Sequence, residues 1–496
     1  MRTSFFLPVL IFAAGCALAG CAVGPDFERP RASAPTDWSS ARGGDASLHD
    51  PALVASDARS SDAWWKAFGD PVLDQLEAQA AAANPDLGTA ALRFAQSREQ
   101  RRATAAQRGP RVDVDATAQR QRPSENGTTS RTIDVLAPAE RRDELVRLLS
   151  QPFNDYQAGF DASWEPDFWG RVRRSVEAAD ARVDEAAALF DGARLDVAAE
   201  VARHYFELRG LQRQLALTRG DIDAATERFD LTKARANGGM ASDLDATRQQ
   251  ALLAELRSRL PALLEREAGT LDQLSLLLGQ SPGSLGATLA AVEGEGPPRI
   301  LPDLALGIPS DVARRRPDIR QAEARLHAAT ANIGVAVADL YPRITLGAGF
   351  AFESLHSGDF ADWGSRRWSV GPRLDLPVFD MGRRKSVVTL RKLEQQEAAV
   401  AYQGTVLRAW TDIDTALNGY AAERERNERL AERERLSRDA DRLADARYGH
   451  GETSYIDALD ARRSLLAAQR DRAESDAQLA VRYVAICKAI GGGDPH

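Results

Sequence analysis

The feature that most limits what this 496-residue chain can become is an internal duplication. The segments "NPDLGTAALRFAQSREQRRATAAQRGP" and "RPDIRQAEARLHAATANIGVAVADLYP" open two copies: Pro85 and Pro110 stand 25 residues apart, as do Pro317 and Pro342. Downstream, Gly170-Arg171 in "PDFWGR" matches Gly382-Arg383 in "PVFDMGR". Two glycine turns follow, "RANGGMASDLDA" at 235–246 and "RYGHGETSYIDA" at 447–458, each 69 residues on, from Gly170 to Gly239 and from Gly382 to Gly451. The offset between copies falls from 232 at the prolines to 212 at the glycines, so the first copy carries 20 extra residues between them. The polar, turn-rich stretch at about 121–151 holds the excess. A repeat of this kind marks a supersecondary unit that buries its apolar surface against its twin.

Within each copy the hydrophobic period changes. Val112, Val114, Ala116 and Ala118 alternate with Asp113, Asp115 and Thr117, and Tyr156, Ala158, Phe160, Ala162 and Trp164 alternate with Gln157, Asp161 and Ser163. "RITLGAGFAFE" and "WSVGPRLDL" repeat the pattern, giving expected strands at about 111–121, 155–165, 343–353 and 367–377. Alternation alone suits either soluble amphipathic hairpins or the wall of a transmembrane barrel. No other apolar material remains to cover these faces as a compact core, which favours the wall.

After Arg171 the apolar residues Val172, Val176, Ala179, Val183, Ala186, Phe190, Ala193 and Val197 step by four and three, a heptad seam rich in alanine. A helix of about 65 residues would be about 100 Å long. Helical hairpins are expected over about 171–279 and about 383–490, each reversing at its glycine turn with Ser242 or Ser454 as N-cap of the returning helix. The run "AAERERNERLAERERLSRDADRL" alternates in sign and reads as a solvated helix face with i,i+4 pairs.

Residues 1–20 are expected to be a signal peptide: Arg2 precedes a short apolar run that ends at "LAGC", a lipobox-like sequence placing a lipid on Cys21. Plain cleavage after Ala19 is the alternative. Ala22 follows the cysteine, where inner-membrane lipoproteins carry Asp, which points to the outer membrane. The remaining divisions are a lipidated N-terminal linker at 21–63, repeat 1 at 64–285, a Pro/Gly-rich equatorial linker at 286–309 and repeat 2 at 310–492. Removal of the leader takes Cys16 with it and leaves Cys21 and Cys487, too few for a disulfide framework. A net charge of −8 with no basic block argues against nucleic acid as a partner. No phosphate-binding loop, nucleophile elbow or His-Glu-x-x-His motif is present, and the six histidines are scattered, with His204 and His327 read as structural, so neither an enzyme nor a cofactor is expected.

Four strands cannot close a membrane barrel, whose bacterial minimum is eight, so the chain must oligomerise; two or three copies both satisfy the count. The expected fold is mainly α with a membrane β-barrel, built from two repeats that each combine a β-hairpin with long coiled-coil helices.

"CAVGPDFERP", "WWKAFGDPVLDQL", "RRRPDIRQAEARL", "PVFDMGRR", "RYGHGETSYIDALDARRSL" and "AIGGG" together resemble the outer-membrane factor lipoproteins of tripartite, resistance-nodulation-division type efflux systems, the nodulation-T-like family. The resemblance covers nearly the whole chain after the leader. It implies a homotrimer with a twelve-stranded barrel in outer-membrane lipid, continuous with an α-helical barrel in the periplasm of a Gram-negative cell. Such a protein is the exit duct for a periplasmic adaptor and an inner-membrane efflux transporter. By position, Ile456, Asp460 and Arg463 match the family's constricting residues. The resulting expectation is that Asp460 and Arg463 latch a closed tip, and that an adaptor docking at Gly239, Ser242, Gly451 and Ser454 releases it. An ordinary surface i,i+3 pair is the plainer reading of Asp460 and Arg463. Rival functions are the outer-membrane duct of a protein-secretion system and a non-conducting periplasmic coiled-coil scaffold.

Overall fold

A computed structural model describes residues 22–30, 38, 42–49, 63–127, 131, 133, 135, 138, 141–291 and 309–492. The expected signal peptide, Cys21, most of the 21–63 linker and most of the 286–309 linker lie outside the described residues. In chain order the helices are α1 (Pro71–Ala83), α2 (Pro85–Ala105), α3 (Arg142–Leu149), α4 (Arg171–Asn237), α5 (Asp243–Leu277), α6 (Pro309–Arg315), α7 (Pro317–Ala338), α8 (Arg383–Gly449) and α9 (Tyr455–Ala489). The strands are β1 (Arg111–Gln121), β2 (Phe153–Trp164), β3 (Arg343–Ser354) and β4 (Arg366–Asp375). Helices α4 and α8 are 67 residues each, and the returning helices α5 and α9 are 35 each, so the duplication read from spacing carries through to element length.

The chain divides into two compact units, the first comprising 1–28, 97–182 and 326–397 and the second 29–96, 183–325 and 398–496. The first unit carries a four-stranded antiparallel sheet in the order β1-β2-β3-β4. Its even-numbered face is apolar in rows that run straight across the sheet. Val114 lies opposite Phe160, Phe160 opposite Phe350 and Phe350 opposite Trp368, and the Phe160 and Phe350 rings stack at 5.9 Å. This face is bare: Val114 is 82% exposed, Trp368 67% and Val370 73%. Apolar side chains left open in register across a whole sheet are what a lipid-facing wall requires. The odd-numbered face carries Asp113, Asp115, Thr117 and Gln119 of β1, and Arg367, Ser369, Arg373 and Asp375 of β4.

The β1–β2 connection is not all loop, as the sequence had suggested. It contains α3, an eight-residue helix whose Val146 is buried while Leu148 and Leu149 stay exposed. β4 stops at Asp375, short of Pro377, which has no N–H to give to a ladder.

The second unit holds the main core. Trp64, Leu73 and Leu76 pack with Tyr205, Phe206 and Leu208 of α4 and with Tyr483, Val484 and Ile486 of α9. The motif "WWKAFGDP" is explained here. Phe68 packs tilted against Phe206 at 4.7 Å and edge-on to Tyr483 at 5.1 Å, and Asp70 caps α1 through Val72 N and Leu73 N while accepting from the Tyr205 hydroxyl at 2.5 Å. "RRRPDI" is equally structural. Buried Arg316 donates to the Ala489 carbonyl at 2.6 Å and pairs with Asp318 at 2.7 Å and Asp412 at 3.1 Å, pinning the start of α7 to α8 and α9. Gly491 sits at φ +87° where an added Cβ would come within 3.2 Å of the Arg316 backbone, so a glycine is required there by that pin.

Candidate gating site at the helix turns

Both glycine turns close in the same way. Gly239 and Gly451 take left-handed conformations at φ 74° and 76°, open to residues without a Cβ penalty. Met240 N donates to Arg235 O at 2.8 Å and Gly239 N to Ala236 O at 2.9 Å; in the second copy Glu452 N donates to Arg447 O at 2.9 Å and Gly451 N to Tyr448 O at 3.0 Å. These paired bonds form a Schellman motif, which consumes carbonyls that α4 and α8 would otherwise leave unpaired. Ser242 and Ser454 are N-caps of α5 and α9. Ser242 accepts from Leu244 N at 3.1 Å. Ser454 does more: it forms a capping box in which its own N–H donates to Asp457 at 3.2 Å, and hydrogen bonds from Ser454 and Thr453 hold the Asp457 carboxyl below its usual range. The four turn residues Gly239, Ser242, Gly451 and Ser454 are all exposed.

Ile456, Asp460 and Arg463 fall on one exposed face of α9, while Tyr455, Leu459 and Leu466 on the other face enter a small core with Ala225, Leu252, Leu253 and Leu256. Among the described residues Asp460 makes no ion pair with Arg463, so the plainer i,i+3 surface pair is not formed within one chain. Their spacing places both on one side of the helix, where each points to solvent.

The ionic link the structure does make is one residue away, and the sequence reading missed it. Arg462 Nη1 lies 3.3 Å from Asp441 of α8, and Nη2 lies 3.8 Å from Asp221 of α4. Burial pushes the Asp221 carboxyl up to about 6, with Arg462 acting in the opposite direction. Asp441 Oδ1 is buried without a hydrogen-bond partner. Nearby, Arg228 of α4 pairs with Asp445 of α8 at 2.9 Å. The Tyr455 hydroxyl donates to Gln249 of α5, whose amide in turn donates to the Ala225 carbonyl at 3.1 Å. All four long helices are thus joined through Arg462, Arg228 and Tyr455. Periodicity could not reveal this clamp, because its members lie as far apart as Asp221 and Arg462 in sequence and each alone looks like a solvated helix charge.

Among the described residues no group of three or more His, Cys, Asp or Glu could hold a metal ion, and no helix is long and apolar enough to cross a membrane. His327 stacks on Phe27 at 4.3 Å with Nε2 3.1 Å from Glu177, and His204 lies 3.2 Å from Glu207; both are packing residues on helices.

A duplicated β-hairpin and α-hairpin, with an apolar sheet face left bare, is the architecture of one segment of a barrel wall. The chain belongs to the outer membrane efflux protein family, whose model matches residues 76–280 and 308–492. It is 33% identical to the pyoverdine export outer membrane protein OpmQ of Pseudomonas putida, over 90% of this chain and 92% of that one. Outer membrane protein OprJ of Pseudomonas aeruginosa is 32% identical over 96% of this chain and 94% of its own. Among solved structures, the outer-membrane channel OprN superposes with a TM-score of 0.81 at 31% identity, covering 95% of this chain and 99% of OprN. The Campylobacter jejuni CmeC outer membrane channel, at 24% identity and a TM-score of 0.82, shares the fold. The protein is an outer-membrane efflux channel subunit that extends into the periplasm.

Proposed function

We propose that three copies of this chain close a twelve-stranded barrel and act as the exit duct of a tripartite pump, passing small molecules handed over by an inner-membrane transporter and a periplasmic adaptor. The observation that carries this reading is the four-stranded sheet itself: among the described residues β1 and β4 are both unpaired edges, its apolar face is bare, and open edges are not tolerated in lipid. The polar face then lines a water-filled lumen.

The gate lies at the helix turns. Ile456, Asp460 and Arg463 form the exposed face that meets the other copies, with Ile456 narrowing the pore and Asp460 and Arg463 free to pair between chains. The Arg462 clamp holds α9 against α4 and α8 in the closed form. Gly239, Ser242, Gly451 and Ser454 are the docking points of the adaptor, presented by two turns of matching geometry. Cys21 carries the lipid. Its neighbours support this: Val23 N donates to Trp169 O at 3.2 Å, Arg174 pairs with Asp26 at 2.6 Å, and a Cβ on Gly170 would come 2.8 Å from Ala22 Cα, so residue 22 is pinned where β2 gives way to α4. An acyl chain on Cys21 would enter the membrane beside the barrel. Mass spectrometry of the N-terminal peptide tests this; an unmodified Cys21, or an N-terminus elsewhere, refutes it.

The function is tested by accumulation. Cells lacking the protein should retain amphiphilic dyes and antibiotics that complemented cells expel. Unchanged retention across such a panel, with loss of a secreted protein from the medium, would transfer the duct to protein secretion.

A further inference from the structure

Building on the proposed closed barrel, the duplication fixes how one copy of the sheet joins the next. In each antiparallel pair of strands the numbers of opposed residues have a constant total: 274 for β1–β2, 510 for β2–β3 and 718 for β3–β4. The first and third totals differ by 444, which is the 232 offset of the prolines plus the 212 offset of the glycines. The second hairpin is therefore the first one moved by the two sequence offsets, with no slip of register. β3 stands for β1, and β4 stands for β2.

The pairing of β2 with β3 is the seam between the two repeats within one chain. A ring needs one other kind of seam, between β4 of one copy and β1 of the next. Strand tilt and stagger must match around a closed barrel, so the seam between copies repeats the seam within a copy. Carrying the β2–β3 total across, with 212 added for β4 and 232 removed for β1, turns 510 into 490.

We infer that β4 of one copy pairs antiparallel with β1 of a second copy in the register whose opposed residues total 490. This sets Leu374 opposite Ala116 and Pro372 opposite Ala118 of the next copy.

Two observations independent of the offsets agree. The total is even, so the apolar even-numbered face of β4 continues into the apolar even-numbered face of β1; a one-residue slip would turn every side chain of one strand into the wrong medium. Both edge strands are exposed along their whole length, whereas most residues of β2 and β3 are half-buried.

The test is disulfide formation in outer-membrane fractions treated with copper phenanthroline. Directly opposed cysteines on antiparallel strands have Cα separations of about 4.5–5.5 Å, inside disulfide range, while partners two residues away do not. Within one chain β1 and β4 are three strand spacings apart, about 14 Å, so an intrachain bridge is excluded. The double variant Leu374→Cys/Ala116→Cys should give covalent trimers, as should Arg373→Cys/Thr117→Cys on the lumen face. The shifted pairs Leu374→Cys/Ala118→Cys and Leu374→Cys/Val114→Cys should stay monomeric in denaturant. Native-mass trimers that cross-link at a shifted pair, or at no pair, overturn the register while leaving the duct standing. Protein that is monomeric and non-conducting before oxidation overturns both.

Discussion

The Arg462 clamp makes a quantitative prediction. In Arg462→Met the aliphatic stem is kept and the charge is lost. Asp441 loses a charge-assisted contact at 3.3 Å, worth about 1 kcal/mol in a partly hydrated setting. Asp221, with its carboxyl at about 6, is ionised at pH 7 and loses its cation. The penalty there is capped, because the group can take up a proton instead, and doing so one unit above its pKa costs about 1.4 kcal/mol. Together the closed tip is weakened by about 2 kcal/mol per chain, roughly a thirty-fold shift toward the open form. The pH dependence has a definite sign. The folded-state pKa of Asp221 lies above the ordinary 3.8, so the buried site favours the protonated carboxyl: the closed form gains stability as pH falls through about 6, and once Asp221 is neutral, removing Arg462 costs less. Single-channel recordings in planar bilayers should show larger or more frequent openings for Arg462→Met than for wild type at pH 7.5, with the gap narrowing at pH 5. Equal conductance at pH 7.5, or a gap that widens on acidification, would refute the clamp.

Other consequences are independent of gating. Glu77 is 4% exposed, and burial, then the neighbouring Asp74, push its carboxyl up to about 9. The unfolded chain gives up this proton first, so stability falls as pH rises from 4.5 to about 9; Glu77→Gln should be more stable than wild type by about 2 kcal/mol at pH 7 and about equal at pH 4.5, read by thermal unfolding in detergent. A Cβ at Gly210 would lie 2.4 Å from the Ala477 methyl, so Gly210→Val should destabilise by about 1–3 kcal/mol, whereas Gly220→Ala, which meets nothing within 4 Å, should be neutral or slightly stabilising. Ser454→Ala removes the capping box and should speed amide exchange at Asp457 and Ala458; Ser242→Ala, with a single capping bond, should have the smaller effect on its own helix.

Much of the fold is written in local periodicity. Strict alternation marks the strands because a sheet with two different media on its faces leaves no other pattern, and Gly239 and Gly451 announce helix reversals because the turn needs φ above zero. Helix α3 was less visible: "RDELVRLL" is only eight residues and sits in a polar insertion without a repeat partner. The site was legible in kind and not in detail. Ser242 and Ser454 declare themselves as caps by local chemistry, but Arg462 and Arg463 are adjacent arginines in one helix, and only packing decides which faces Asp221 and Asp441. Asp460 and Arg463 have the spacing of a pair and do not form one, because spacing on an exposed helix face permits a contact without enforcing it.

The central claim is that this chain is one third of a conducting barrel. The most direct measurement is the native mass of the assembly extracted from outer membranes in mild detergent, with bilayer conductance recorded from the same sample. The account predicts a trimer that conducts through a small, gated pore. A monomeric species that never conducts would contradict it and return the coiled-coil scaffold to first place.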